Sequence, residues 1–192
     1  MNLSSPNPGN NGAPAPAVPA RAVTPAAAPA APALPPGRPA SAPAAPPPPP
    51  PPVPTALAAL PVPFQGADFA LKGFHADATV APGEVVAAAA ALDQAGFALD
   101  TITGVDWLAQ GQMEVVYDYF HPVTGLRAVV RARAPRENPE FPTISKVFPG
   151  ANWHERETRD FFDIHFTGQS NLTPFLLPED ATYHPLRKDF TS

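Results

Sequence analysis

The sequence has no cysteine, which excludes disulfides, thiol chemistry and iron–sulfur ligation by this chain. It also lacks a long apolar run. The longest strongly apolar stretch is Val85–Leu92, far short of the roughly 18–20 residues of a membrane-spanning helix. The opening residues, Met1-Asn2-Leu3-Ser4-Ser5-Pro6, carry neither a basic nor an apolar region. No secretory signal is therefore expected, and the expectation is a soluble cytoplasmic chain. No glycine-rich phosphate loop, nucleophile elbow or dinucleotide fingerprint occurs. Charge is nearly missing from residues 1–63, where Arg21 and Arg38 stand alone.

What residues 1–63 do have is proline and alanine. They hold 22 of the chain's 31 prolines and 18 alanines, 22 + 18 = 40 of 63 positions. Such a segment has too little apolar surface to offset its ordering entropy, and disorder is expected there. Pro46–Pro52 is an unbroken run, followed by Pro54, Pro61 and Pro63. A run of this kind adopts polyproline II, rising about 3.1 Å per residue, and acts as a semi-rigid spacer. One reading makes it a ligand for a proline-binding domain, and the whole chain an adaptor. The plainer reading is a tether, since no basic residue flanks the run to orient such a ligand.

Residues 64–192 carry the other 10 basic and all 17 acidic residues, a balance of 10 − 17 = −7. These 192 − 63 = 129 residues suit one domain with a real core. The negative balance argues against a non-specific nucleic-acid binder, which needs a positive face.

Structure is expected to begin near Phe64. Pro82, with Glu84 just after, opens a helix over about 82–95, and Val85, Ala88, Ala89 and Leu92 share its apolar face. Gly96 stands where a left-handed helix end is wanted. Phe97–Val105 reads as a strand, with Gly104, Asp106 and Trp107 near its end. A hairpin follows. Met113, Val115, Tyr117 and Tyr119 alternate on one strand, and Leu126, Ala128, Val130 and Ala132 on the next. Bringing both sets to one face requires a four-residue loop, 122–125, with His121 opposite Leu126 and Glu114 opposite Arg133. A loop longer by one would expose one set.

Pro135, Pro139 and Pro142 force an irregular link. Thr143–Phe148 reads as a short helix stopped by Pro149-Gly150, and a second helix should run from about Ala151 to Phe162. Pro174, Pro178 and Pro185 argue for a mostly extended C-terminal segment. The expected fold is α+β: a helix, a strand, a β-hairpin and a charged helix in a core over about 80–165, then an extended tail over about 166–192.

The helix Asn152–Phe162 is the informative segment. Trp153, Glu157 and Phe161 share one face, while Glu155–Arg159 and Arg156–Asp160 are opposite-charge pairs at i,i+4. As a solvated helix it would be anchored by Trp153, Phe161 and Phe162, each ion pair adding about 0.3–0.5 kcal/mol. As an interface it would present its charges to a partner, because Trp, Arg and Phe favour interfaces. A hydrolytic metal site built from His154, Glu155, Glu157, His165 and His184 is conceivable. The spacing is not His-Glu-x-x-His, however, and with His75 and His121 the five histidines are scattered.

Ala151-Asn152-Trp153-His154-Glu155-Arg156-Glu157-Thr158, followed by Asp160-Phe161-Phe162, closely resembles the signature of the C subunit of respiratory complex I, the NADH:quinone oxidoreductase. It also resembles the equivalent subunit of complex-I-related membrane-bound hydrogenases. The resemblance continues through Ile164, Phe166, Gly168, Leu172, Leu177-Pro178-Glu179-Asp180 and His184-Pro185-Leu186-Arg187-Lys188-Asp189. Upstream, Thr103-Gly104-Val105-Asp106-Trp107, Val115-Val116-Tyr117 and Ile144-Ser145 also fit. Two departures stand out: Asp163 where the family usually has Gly, and Gln169-Ser170 where it has His-Pro.

The resemblance implies a small α+β scaffold in the peripheral arm of a membrane-bound oxidoreductase. It would dock on the large subunit related to the hydrogenase catalytic subunit, near the quinone site. No cofactor is implied on this chain. Iron–sulfur clusters, quinone and NADH with FMN, or nickel–iron in the hydrogenase branch, would sit on partner subunits. The implied location is the cytoplasmic side of the cell membrane, reached only through partners. Carried over position by position, the implied interface is Trp153, Glu155, Arg156, Glu157 and Asp160 on the helix, with His184, Arg187, Lys188 and Asp189 on the tail.

Overall fold

The computed structural model describes residues 49–171 and 173–191. At its centre is the expected hairpin, β4 (Gln112–Phe120) and β5 (Arg127–Pro135). Its register places Glu114 opposite Arg133 and Tyr117 opposite Val130. The four-residue loop is closed by His121 N donating to Leu126 O at 2.8 Å and Gly125 N to His121 O at 2.9 Å. Met113, Val115, Tyr117, Tyr119, Ala128, Val130 and Ala132 are all buried on one face.

Two further long strands flank the hairpin. β3 (Ala98–Trp107) pairs antiparallel with β4, and β2 (Ala76–Val80) pairs parallel with β5. The two-residue β1 (Gln65–Gly66) edges β2, with the one-turn helix α2 (Phe69–Lys72) between them in the chain, giving the order β1-β2-β5-β4-β3. The parallel strand β2 is absent from the sequence expectation. Its alternation is present, with Ala76, Ala78 and Val80 buried, but alanine is a weak strand former and the run is five residues.

Helix α3 (Val85–Gln94) buries Val85, Ala88, Ala89 and Leu92 against this face, after a 3-10 turn at Pro82–Glu84. Gly96, at φ 83°, ends it, with Phe97 N donating to Leu92 O at 3.0 Å. Helix α4 (Ala151–Phe162) covers β3. A side chain at Gly104 would come within 2.6 Å of the Phe162 ring, so the strand must be bare there for the helix to sit down.

Three expectations are corrected. Order begins before Phe64: helix α1 (Thr55–Ala58) delivers Leu57, fully buried, and Val62 joins the same core. Val53 and Leu60 pack beside them, so a few well-placed apolar side chains anchor a proline-rich stretch, and composition averages over them. Residues 1–48 lie outside the described residues. Thr143–Phe148 is a single turn rather than a helix. Ile144 O accepts from both Val147 N and Phe148 N at 2.9 Å, and Pro149 can extend neither. The flanking segments also form a small parallel pair, β6 (Glu140–Pro142) and β7 (His165–Thr167), that buries Phe141 and Phe166.

Candidate functional site: the charged helix and the strap it holds

On α4 the alternation of charge and bulk folds inward as well as outward. Glu155, Arg156, Thr158 and Asp160 are buried, whereas Trp153 is exposed. Among the described residues, three charges of the expected outer face, Glu155, Arg156 and Asp160, bind the chain's own neighbouring segments.

Glu155 is only 1% exposed. Its carboxylate accepts from Thr143 Oγ1 at 2.6 Å, Ile144 N at 2.8 Å and Gln169 Nε2 at 2.7 Å. All three donors are neutral, and burial raises its carboxyl pKa above the ordinary value despite them. Arg156 donates to Thr173 O at 3.0 Å and Pro174 O at 3.1 Å. Asp160 Oδ2 accepts from three successive backbone N–H groups, of Phe175, Leu176 and Leu177, at 2.7, 2.8 and 3.2 Å. One helical turn therefore binds the carbonyls and the amides of a single stretch of tail. A strap without a ladder of its own needs such partners for its backbone polar groups.

The strap then returns to the C-terminus of α4. His184 Nδ1 lies 2.8 Å from Asp160 O, and Leu186 N donates to Phe161 O at 3.1 Å, satisfying carbonyls that a helix end leaves open. Asp163 caps α4 at φ 61°, a left-handed conformation that Asp tolerates better than most residues. Its carboxylate accepts from Arg187 at 3.1 Å. Gln169, the other departure from the resemblance, donates from Nε2 to Glu155 at 2.7 Å. Both departures thus retain local partners.

The end of the strap is pinned at β3. Asp106, 2% exposed, accepts from Arg136 Nε and Nη2 at 2.8 and 2.9 Å and from Lys188 N at 2.8 Å. Arg136 also reaches Asp189 at 2.5 Å, and Arg187 donates to Arg136 O at 3.2 Å. The Arg136 guanidinium holds the carboxyls of Asp106 and Asp189 below the usual carboxylate range.

Of the nine expected interface residues, Glu155, Arg156 and Asp160 are internal fasteners. Trp153, Lys188 and Asp189 are exposed, and Glu157, His184 and Arg187 are half-buried. Sequence reasoning missed Arg136, Thr143 and Phe175 as members of this site. A lone arginine in a proline-bounded link carries no periodic signal. Among the described residues no three His, Asp or Glu side chains are placed to hold a metal ion.

The opposite sheet face is polar. Glu114 accepts from Trp107 Nε1 at 3.1 Å and Arg133 Nε at 2.9 Å, and Arg127 pairs with Asp100 and Asp118. A groove of about 890 Å³ lies there, walled by Pro49–Pro51, Phe74, Trp107 and Arg131.

Residues 78–192 match the model of a family described as the respiratory-chain NADH dehydrogenase 30 Kd subunit. Over 92 residues, 47% of the chain, it is 42% identical to the C subunit of the NADH-quinone oxidoreductase of Roseiflexus castenholzii, covering 53% of that protein. Over 96 residues, 48% of the chain, it is 38% identical to the C subunit of the F(420)H(2) dehydrogenase of Methanosarcina mazei, covering 59% of it. The chain thus spans between 53% and 59% of the length of these two relatives. The fold is similar to a chain of the membrane-bound sulfane sulfur reductase, an archaeal respiratory membrane complex. The TM-score is 0.57 at 28% identity, over 60% of this chain and 71% of that one.

Proposed function

The chain belongs to the family of the respiratory-chain NADH dehydrogenase 30 Kd subunit, and from that premise we propose that it is a scaffold subunit of a membrane-bound NADH:quinone oxidoreductase. Its part is positional. It carries no cofactor, and the flavin, iron–sulfur clusters and quinone site belong to neighbouring subunits. It docks on the large subunit related to the hydrogenase catalytic subunit, on the cytoplasmic side of the membrane. Attachment runs through partners, since no helix among the described residues is long and apolar enough to cross a membrane.

The observation that carries this reading is the strap. Residues 173–190 add little to the core yet are fastened to α4 and β3 at three places. They leave Leu176, Tyr183, Leu186 and Phe190 exposed. Fixing an apolar surface in place is useful when another protein covers it.

The relatives named for F(420)H(2) dehydrogenase and for sulfane sulfur reduction support a second reading, in which the same scaffold serves a different donor module, the hydrogenase-like one included. A further reading makes the chain an adaptor acting through its proline run. Gentle detergent extraction of the source cells, affinity capture on this chain and mass spectrometry separate the three. Flavin-containing NADH-oxidising subunits support the first, and a hydrogenase-type large subunit without them the second. Partners that depend on residues 1–63 support the adaptor. Capture of the chain alone overturns the complex readings.

A further inference from the structure

Two aromatic rings, Trp153 on α4 and Phe175 on the strap, meet on the outer surface, and the exposed Leu176 follows the second in the chain. Trp153 is 52% exposed, Phe175 39% and Leu176 52%. They are nonetheless held. The Trp153 and Phe175 ring centroids lie 5.0 Å apart. The Arg156 guanidinium lies 5.2 Å from the centroid of the first ring and 5.0 Å from that of the second. Arg156 itself is buried and bound to Thr173 O and Pro174 O. Asp160 fixes the amides of Phe175 and Leu176. Neither charge is offered to a partner, and both set the backbone from which the rings project.

Carboxylates stand on the same two segments, α4 and the strap, where Arg159 lines a pocket with Pro174, Leu177 and Pro178. Glu157 follows Trp153 by one turn, and Glu179 and Asp180 come directly after Leu176-Leu177-Pro178, both exposed. None of the three forms an ion pair among the described residues. A rigid Trp–Arg–Phe cluster has the make-up of a binding hot spot, and pre-ordered rings lose little freedom on contact. Carboxylates without an ion pair, Glu157 one turn from Trp153 and Glu179 and Asp180 further along the strap, call for the opposite sign across the interface.

We propose that Trp153, Phe175 and Leu176 form a preformed knob that enters an apolar recess rimmed by Lys and Arg on a neighbouring subunit, with Arg156 as the positioning residue behind it. This rests on the reading of the chain as a subunit of a complex. Arg156 acts through the rings rather than by touching the partner.

The test uses the full-length chain in its source cells, with native gels of mild detergent extracts to measure occupancy in the complex. Purified chains are compared by thermal unfolding. Trp153→Ala, and separately Glu179→Lys with Asp180→Lys, are expected to fold with midpoints within about 3 °C of the parent, as surface substitutions do. Occupancy is expected to fall about tenfold or more, the scale of a hot-spot loss. Arg156→Lys is expected to lower occupancy and also to move Trp153 emission to longer wavelength, taken as the difference from Trp153→Phe. A fastener that did not reach the ring would leave that emission unchanged. Full occupancy of the alanine and charge-reversed variants, with the parent in the complex, overturns the inference and leaves the complex reading standing. The parent chain migrating alone overturns both.

Discussion

The carboxylate of Asp106 near the end of β3 is gripped by both arms of Arg136, at 2.8 and 2.9 Å, thirty positions further along the chain. Removing one partner of a buried ion pair strips the other of charge compensation, and here it leaves Arg136 only the exposed Asp189. Asp106→Asn should therefore cost about 3 kcal/mol of stability, read by urea unfolding. It should also free the strap at Lys188 and Asp189, read by faster amide exchange at those positions.

The same pair sets an acid limit. Arg136 depresses the Asp106 carboxyl below the ordinary 3.8. A depressed folded-state pKa gives stability that is complete above the unfolded value and lost as pH falls through the folded one. The wild type should lose stability below pH 3.8 more steeply than Asp106→Asn. Acid titrations of the two proteins with parallel slopes would refute this.

Glu155 has the opposite sign. Burial raises its carboxyl above 4.5, so the folded protein binds that proton more tightly than the unfolded chain does. Its stability rises as pH falls through the folded value towards 4.5. Against Glu155→Gln, whose amide nitrogen must face a donor, the wild-type advantage should be about 1–3 kcal/mol. That advantage should be larger at about pH 5 than at about pH 7.5. Chemical denaturation at both values measures it.

Gly104 is bare because Phe162 lies over it, 2.6 Å from where a Cβ would stand. Gly104→Ala should destabilise by about 1–3 kcal/mol through overpacking. Phe162→Leu should recover part of that loss in the double variant, as thermal melts of the four proteins would show. Strict additivity would mean the two side chains do not meet.

Asp163 holds φ 61° and is largely exposed. Its surface ion pairs are worth about 0–1 kcal/mol, and left-handed backbone costs a non-glycine residue about 1–2 kcal/mol. Asp163→Gly should be within about 1 kcal/mol of wild type, while Asp163→Val should lose more than that. Equal melting points for the two variants would contradict this account.

The hairpin register was legible because period-two burial and loop length constrain each other: Glu114 faces Arg133 as expected. Helix α3 was legible from four spaced apolar residues and its terminal glycine. Family membership was legible in α4, whose bounds also match the expectation. What the sequence hid was where charge goes. Glu155, Arg156 and Asp160 look like a solvated face because their partners are backbone groups, a threonine hydroxyl and a glutamine, contributed by segments 11 to 18 residues away. Backbone amides and carbonyls leave no mark in composition. Strands of three residues between prolines, such as β6, fall below any periodic signal.

Gly66 has a different kind of memory. A Cβ there would stand 1.8 Å from the carbonyl oxygen of Pro51, so the glycine is the imprint of the proline run passing across it. The two positions are linked as a footprint is to a foot. Any side chain at 66 would force residues 49–52 off the sheet edge, and would become harmless only in a chain whose proline run had already gone. Substitutions at 66 and changes to the run should therefore be judged in pairs, each setting the other's penalty.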